Sequence, residues 1–168
     1  MNKIILYTVL ILFSFITKTM AQKVAIKDSS SWSFRQDENK SYEIGPAEDR
    51  SYAKQEVYPI KSIEEKIKGF GNIMKTIDAT SYQGKTVKMS GYIKSENVKD
   101  WAGLWMRIDY YNDKVLSFDN MQNRAIEGTN DWTKYEVVLF VPQDATDFSY
   151  GVLLDGTGQI WFKDVSLE

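Results

Sequence analysis

Every second residue from Ala102 to Ile108 is apolar, and the pattern predicts a strand. Ala102, Leu104, Met106 and Ile108 fall on one side, and Trp101, Gly103, Trp105, Arg107 and Asp109 on the other. Successive strand side chains point to opposite faces, so this stretch has a core face and a second face carrying aromatics and charges. Thr86 to Lys94 alternates in the same way, with Val87, Met89, Gly91 and Ile93 set against Lys88, Ser90, Tyr92 and Lys94. Ile73 to Ile77, Tyr135 to Val141, Phe148 to Leu154 and Gln159 to Leu167 read as further strands. Gln83-Gly84-Lys85 marks a turn, and the glycines of Asp155-Gly156-Thr157-Gly158 suit a hairpin between the last two strands.

Upstream of Gly71 the pattern is sparser. A short strand is expected near Trp32, a turn at Gly45-Pro46, and extended chain from Ser51 to Tyr58 ahead of Pro59. Ile60, Ile63 and Ile67, with Ser62 and Glu65 at capping-box separation, predict a short amphipathic helix that Gly69 and Gly71 end. Many strands with polar turns and almost no helix give an all-β fold, an antiparallel sandwich or barrel. No repeat or linker divides the chain after its first residues.

Those first residues follow another logic. Lys3 precedes an apolar run from Ile4 to Ile16, which is shorter than the about 20 residues a membrane span needs. Thr19-Met20-Ala21 places small residues where a signal peptidase reads. The expectation is a signal peptide over residues 1–21, cut before Gln22, and one domain over 22–168; an uncut anchor is the alternative. With no cysteine to take a lipid, the mature protein is expected to be secreted or periplasmic, with no membrane attachment after cleavage.

Composition narrows the chemistry. Cleavage takes Lys3 and Lys18 from the 21 basic residues and nothing from the 23 acidic ones, so the net charge moves from −2 to −4. That balance argues against a nucleic-acid partner. The chain has 0 His and 0 Cys, which excludes Ser-His-Asp and Cys-His nucleophile systems and the commonest zinc ligands. Packing alone, without disulfides, must hold the fold. All 5 tryptophans lie in the mature part.

The polar face of Trp101 to Asp109 is therefore the candidate binding surface. An indole beside a planar cation and a carboxylate suits a sugar, whose ring packs on the aromatic while its hydroxyls pair with fixed polar groups. Trp105 would stack, Arg107 donate and Asp109 accept, with Gly103 leaving room above the face. The competing reading makes Trp105 half core and Arg107–Asp109 a local ion pair. The loop Phe118-Asp119-Asn120-Met121-Gln122-Asn123-Arg124 adds Asp119, Asn120 and Arg124 as candidates that close over the strand end. No cofactor is expected; a structural calcium ion on Asp119, Asn120 and Asp131 is the alternative. Asp109 paired with Asp119 or Asp155 is the candidate carboxylate pair for glycan cleavage. Trp132 and Trp161 are read as core or edge packing.

Several blocks, in order, carry a resemblance over the last hundred or so residues. They are Gly69-Phe70-Gly71, Tyr82-Gln83-Gly84-Lys85, Trp101 to Asp109, Phe118-Asp119-Asn120-Met121, Gly128-Thr129-Asn130-Asp131-Trp132 and Gly151 to Trp161. They resemble bacterial domains of the galactose-binding-like, carbohydrate-binding-module type, which implies a jelly-roll β-sandwich. In that class a concave sheet often binds polysaccharide. The expectation is thus an exported, non-catalytic module for carbohydrate or another polar ligand. An envelope protein as partner is the first alternative, and a carboxylate-based glycan-cleaving enzyme the second.

Overall fold

The computed structural model describes residues 32–36, 40–45 and 56–168. The expected signal peptide, Pro46 and residues 51–55 lie outside them. Among the described residues nine strands follow one another: β1 (Ser33–Arg35), β2 (Tyr42–Ile44), β3 (Tyr58–Ser62), β4 (Phe70–Asp78), β5 (Thr86–Tyr110), β6 (Lys114–Asp119), β7 (Ile126–Phe140), β8 (Asp147–Asp155) and β9 (Gln159–Leu167). Neighbouring strands pair antiparallel throughout.

The two alternating stretches of the sequence are one strand. β5 runs for 25 residues and belongs to both layers of the fold. Its first half lies between β7 and β9, and β9 continues to β3 and β2; its second half lies between β8 and β6, and β8 continues to β4 and β1. The inward positions change parity along it. Val87, Met89, Ile93 and Ser95 are buried in the first half, and Val98, Ala102, Leu104, Met106 and Ile108 in the second. Asn97, at φ 52°, takes the left-handed conformation at the switch, where the register with β7 shifts. An extra residue in a strand turns its side chains over, and here it lets both halves face a single core.

The turn expected to be a hairpin connects different layers. β8 and β9 do not pair with each other; they flank opposite halves of β5, and Asp155-Gly156-Thr157-Gly158 arches between them. Gly158 (φ 132°) sits against the β5 switch, where a Cβ would stand 2.7 Å from the Val98 Cα. The Tyr42 hydroxyl ties this arch down, its one proton shared between the carbonyls of Gly69 (2.8 Å) and Gly156 (2.9 Å).

The helix expected at Ile60 to Ile67 is absent. Ile60 is a fully buried strand residue paired with Ile44 and Ile160, whereas Ile63 is 52% exposed. Ser62, the expected cap, ends β3, and its hydroxyl accepts the Gly158 N–H at 3.0 Å. The isoleucine spacing matched a helical period, but pairing with β9 gave Ile60 a better apolar partner than an isolated two-turn helix offers. Trp132 and Trp161 lie on the outer side of the first layer. Lys163 stands 4.6 Å from the Trp132 ring centre and Lys94 stands 5.3 Å from that of Trp161, so each ring packs under a cation.

Candidate functional site

The second layer carries a groove on its outward face, with a volume of about 1000 Å³. Pairing register sets its floor in rows. Trp101 stands opposite Asp155, which stands opposite Phe70; Trp105 stands opposite Gly151 and then Met74; Arg107 stands opposite Ser149 and then Thr76. At the far end, Asp109, Asp147 and Asp78 occupy one row across β5, β8 and β4. Phe118, opposite Arg107 on β6, together with Asn120 and Gln122, forms one wall, and Arg35 and Gln36 contribute to the other.

Trp105 is the centrepiece, in a way its alternation did not show. Its indole is 8% exposed and donates from Nε1 to Asn72 Oδ1 at 3.0 Å. Asn72 lies on β4, with β8 between, and the opposing β8 residue is Gly151. Without a side chain there, the indole crosses β8 and lies along the floor. Trp105 is thus a packed surface and not a free-standing ring, nearer the half-core alternative than the exposed stacking ring. Gly103 does not leave open space either. The Asn120-Met121 loop fills it, and a Cβ at Gly103 would stand 2.9 Å from that of Met121.

Arg107 and Asp109 form the expected pair, Nε donating to Oδ2 at 2.8 Å. Asp109 is 2% exposed, and its Oδ1 is buried without a hydrogen-bond partner. The guanidinium also approaches Asp113 at 3.8 Å.

The loop candidates separate. Asn120 lines the groove, whereas Asp119 and Arg124 bind one another, Nη2 to Oδ2 at 2.8 Å and Nη1 to Oδ1 at 3.0 Å, and do not line it. Partial burial raises the Asp119 carboxyl's pKa, but the bonds from Arg124 and the Met121 N–H, with the Arg124 charge, hold it below the usual carboxylate range. Asp119 is thereby occupied, and among the described residues no three acids gather as a metal site. The carboxylate pair also lacks reach: Asp109 and Asp155 sit eight residues apart along one sheet face, about 26 Å at the strand rise. Paired glycosidase acids stand about 5–9.5 Å apart.

Asp155 ends the groove beside Trp101, which hydrogen-bonds to it. Burial, followed by the charge of Asp100, raises its pKa above 3.8. A carboxyl with a raised folded-state pKa destabilises the fold once ionised, so its effect grows as pH rises from about 3.8 through the folded value. Asp155→Asn, which keeps the acceptor, is therefore expected to raise the midpoint of urea unfolding at pH 7 and to leave it unchanged at pH 3. A midpoint that falls at pH 7 and not at pH 3 would show the charge to be stabilising.

Sequence reasoning missed the groove residues contributed by other strands: Asn72, Met74 and Ser149. Asn72 left one signal, a polar residue directly before the apolar run Ile73-Met74.

No protein-family model matches the chain. Over 99 residues it is 44% identical to the uncharacterized HTH-type transcriptional regulator YbfP of Bacillus subtilis, a match covering 59% of this chain and 34% of that protein. The chain thus corresponds to about a third of that relative's length. Among solved structures it is similar to the enzymatically active domain of tailspike protein 4 of bacteriophage CBA120 (TM-score 0.62, 14% identity, 82% of this chain and 19% of that one). It is also similar to the CBM22-1 xylan-binding domain of Paenibacillus barcinonensis Xyn10C (TM-score 0.56, 12% identity, 83% and 86%). Further modules of families 22 and 4 recur among the similar structures. At these identities the likeness establishes the fold alone, an antiparallel jelly-roll β-sandwich.

Proposed function

We propose that this is an exported, non-catalytic, galactose-binding-like module that holds carbohydrate in the groove over Trp105. The observation that carries the reading is the floor itself. Over the buried Trp105, which Asn72 fixes, the partly exposed Trp101 and the exposed Phe70 and Phe118 offer aromatic surface, and Arg107, Asn120 and Gln122 border it with polar groups, as a pyranose requires. The fold supports it, since the similar modules include a xylan-binding domain of nearly the same length.

A glycan array with the secreted protein tests the reading. Binding to at least one oligosaccharide is expected, weakened roughly tenfold or more by Trp101→Ala, as for loss of an aromatic contact in a binding patch. Gln122→Ala is expected to weaken it less, and intact mass should place the N-terminus at Gln22. An array without binders, or binders indifferent to both variants, would overturn the assignment.

A further inference from the structure

One end of the groove holds more negative charge than it neutralises. Asp109, Asp147 and Asp78 stand directly opposite one another on three adjacent strands, and Asp113 hangs over the same end. Like charges opposite each other destabilise a sheet. Asp78 is held below the usual carboxylate range by Thr80, and Asp147 accepts from the Thr146 hydroxyl, but among the described residues no cation pairs with either. The cation lining that end is Arg107, and its Nε is taken by Asp109 Oδ2. The other arginine lining the groove, Arg35, pairs with Asn72, six residues along β4 from Asp78, about 20 Å away at the strand rise.

A second, independent feature lies beneath the row. The Asp109 side chain is 3% exposed, and its Oδ1 has no donor at all. A buried carboxylate oxygen left unpaired is costly, and here it lies at the wall of an open groove. A divalent metal does not fit, because among the described residues the acids do not converge as a metal site. They are strung across the sheet. A group that brings positive charge and several N–H donors, but needs no coordination polyhedron, matches that arrangement.

We propose that this end of the groove is a subsite for an ammonium-bearing sugar, a glucosamine unit within an oligosaccharide. It rests on the groove being the carbohydrate site proposed above and adds the ligand class. The ammonium donates to the exposed Asp147 carboxylate and sits in the field of the buried Asp109 beneath. The neutral rings of the chain lie over Trp105 toward Trp101.

The test is calorimetric titration of the secreted protein with three short oligomers of equal length: glucosamine, N-acetylglucosamine and glucose. The first two differ chiefly in whether the nitrogen is charged. The glucosamine oligomer is expected to bind roughly tenfold more tightly than the other two, the scale of one charge-assisted hydrogen bond. Asp147→Asn should erase that preference, bringing the glucosamine oligomer down to the affinity of the glucose oligomer for the same variant, and Glu127→Gln, a control away from the groove, should leave the preference intact. Equal binding of all three oligomers, weakened by Trp101→Ala, would overturn the ammonium subsite while the groove reading stands. A preference surviving Asp147→Asn would also overturn it. No binding that depends on Trp101 would remove both.

Discussion

Replacing Trp105 by alanine is expected to lower the melting temperature by about 10 °C, a larger effect than for other groove side chains. The indole is 8% exposed, spans two strand intervals and holds Asn72, so its removal opens a cavity and strips a buried amide of its donor. Truncating a buried tryptophan costs roughly 3–5 kcal/mol. In a domain of this size each kcal/mol is worth about 2–4 °C. Trp105→Phe separates the two contributions: most of the packing stays, and the loss falls to that of the unmet Asn72 acceptor, about 1–3 kcal/mol. Thermal scans by circular dichroism measure both. A shift under about 2 °C for the alanine variant would mean the ring does not carry the floor. Trp105→Ala therefore cannot separate binding from folding, which is why Trp101 and Gln122 serve as the binding tests.

The core of this sandwich was legible because one strand wrote it plainly. Ala102, Leu104, Met106 and Ile108 alternate without exception and are all fully buried. The opposite face was legible as a set of residues but not as an environment. Alternation says that Trp105, Arg107 and Asp109 point the same way; whether they meet water depends on what stands opposite. Gly151 and Asn72 lie more than thirty residues from Trp105 in the chain, and pairing alone brings them under and beside its ring. The joining of two expected strands into β5 was hidden for a related reason. The stretch Ser95-Glu96-Asn97-Val98-Lys99-Asp100 around the parity switch is polar at every position but Val98, so it looks like a loop between two strands. The expected helix at Ile60 to Ile67 failed because three isoleucines fit a helical period by spacing alone. Only pairing with β9 decides that the first is core and the second surface.

The register that places Trp105 over Gly151 makes a second strong prediction, that Gly151→Ala costs about 3 kcal/mol or more. A Cβ there would run into the Ile73 carbonyl oxygen and stand 2.9 Å from the Met74 Cα, both backbone atoms of β4. Overpacked side chains often relieve strain by changing rotamer, at a cost of about 1–3 kcal/mol. Backbone in the middle of a ladder has no such freedom. Phe70 to Asp78 pair residue by residue with Asp155 to Asp147, so displacing β4 at Met74 disturbs the pairing on both sides. Glycine inside a strand often marks such a close approach. Gly91→Ala is the informative comparison: its Cβ would meet the Phe162 ring edge at 2.9 Å, a side chain able to tilt, so a smaller loss is expected. Urea unfolding of the two variants checks the order. Because β4 also carries Asn72, Met74 and Thr76, any Gly151→Ala protein that still folds should have a displaced groove wall and weakened glycan binding. Wild-type affinity in a stable Gly151→Ala variant would show that β4 does not shape the groove.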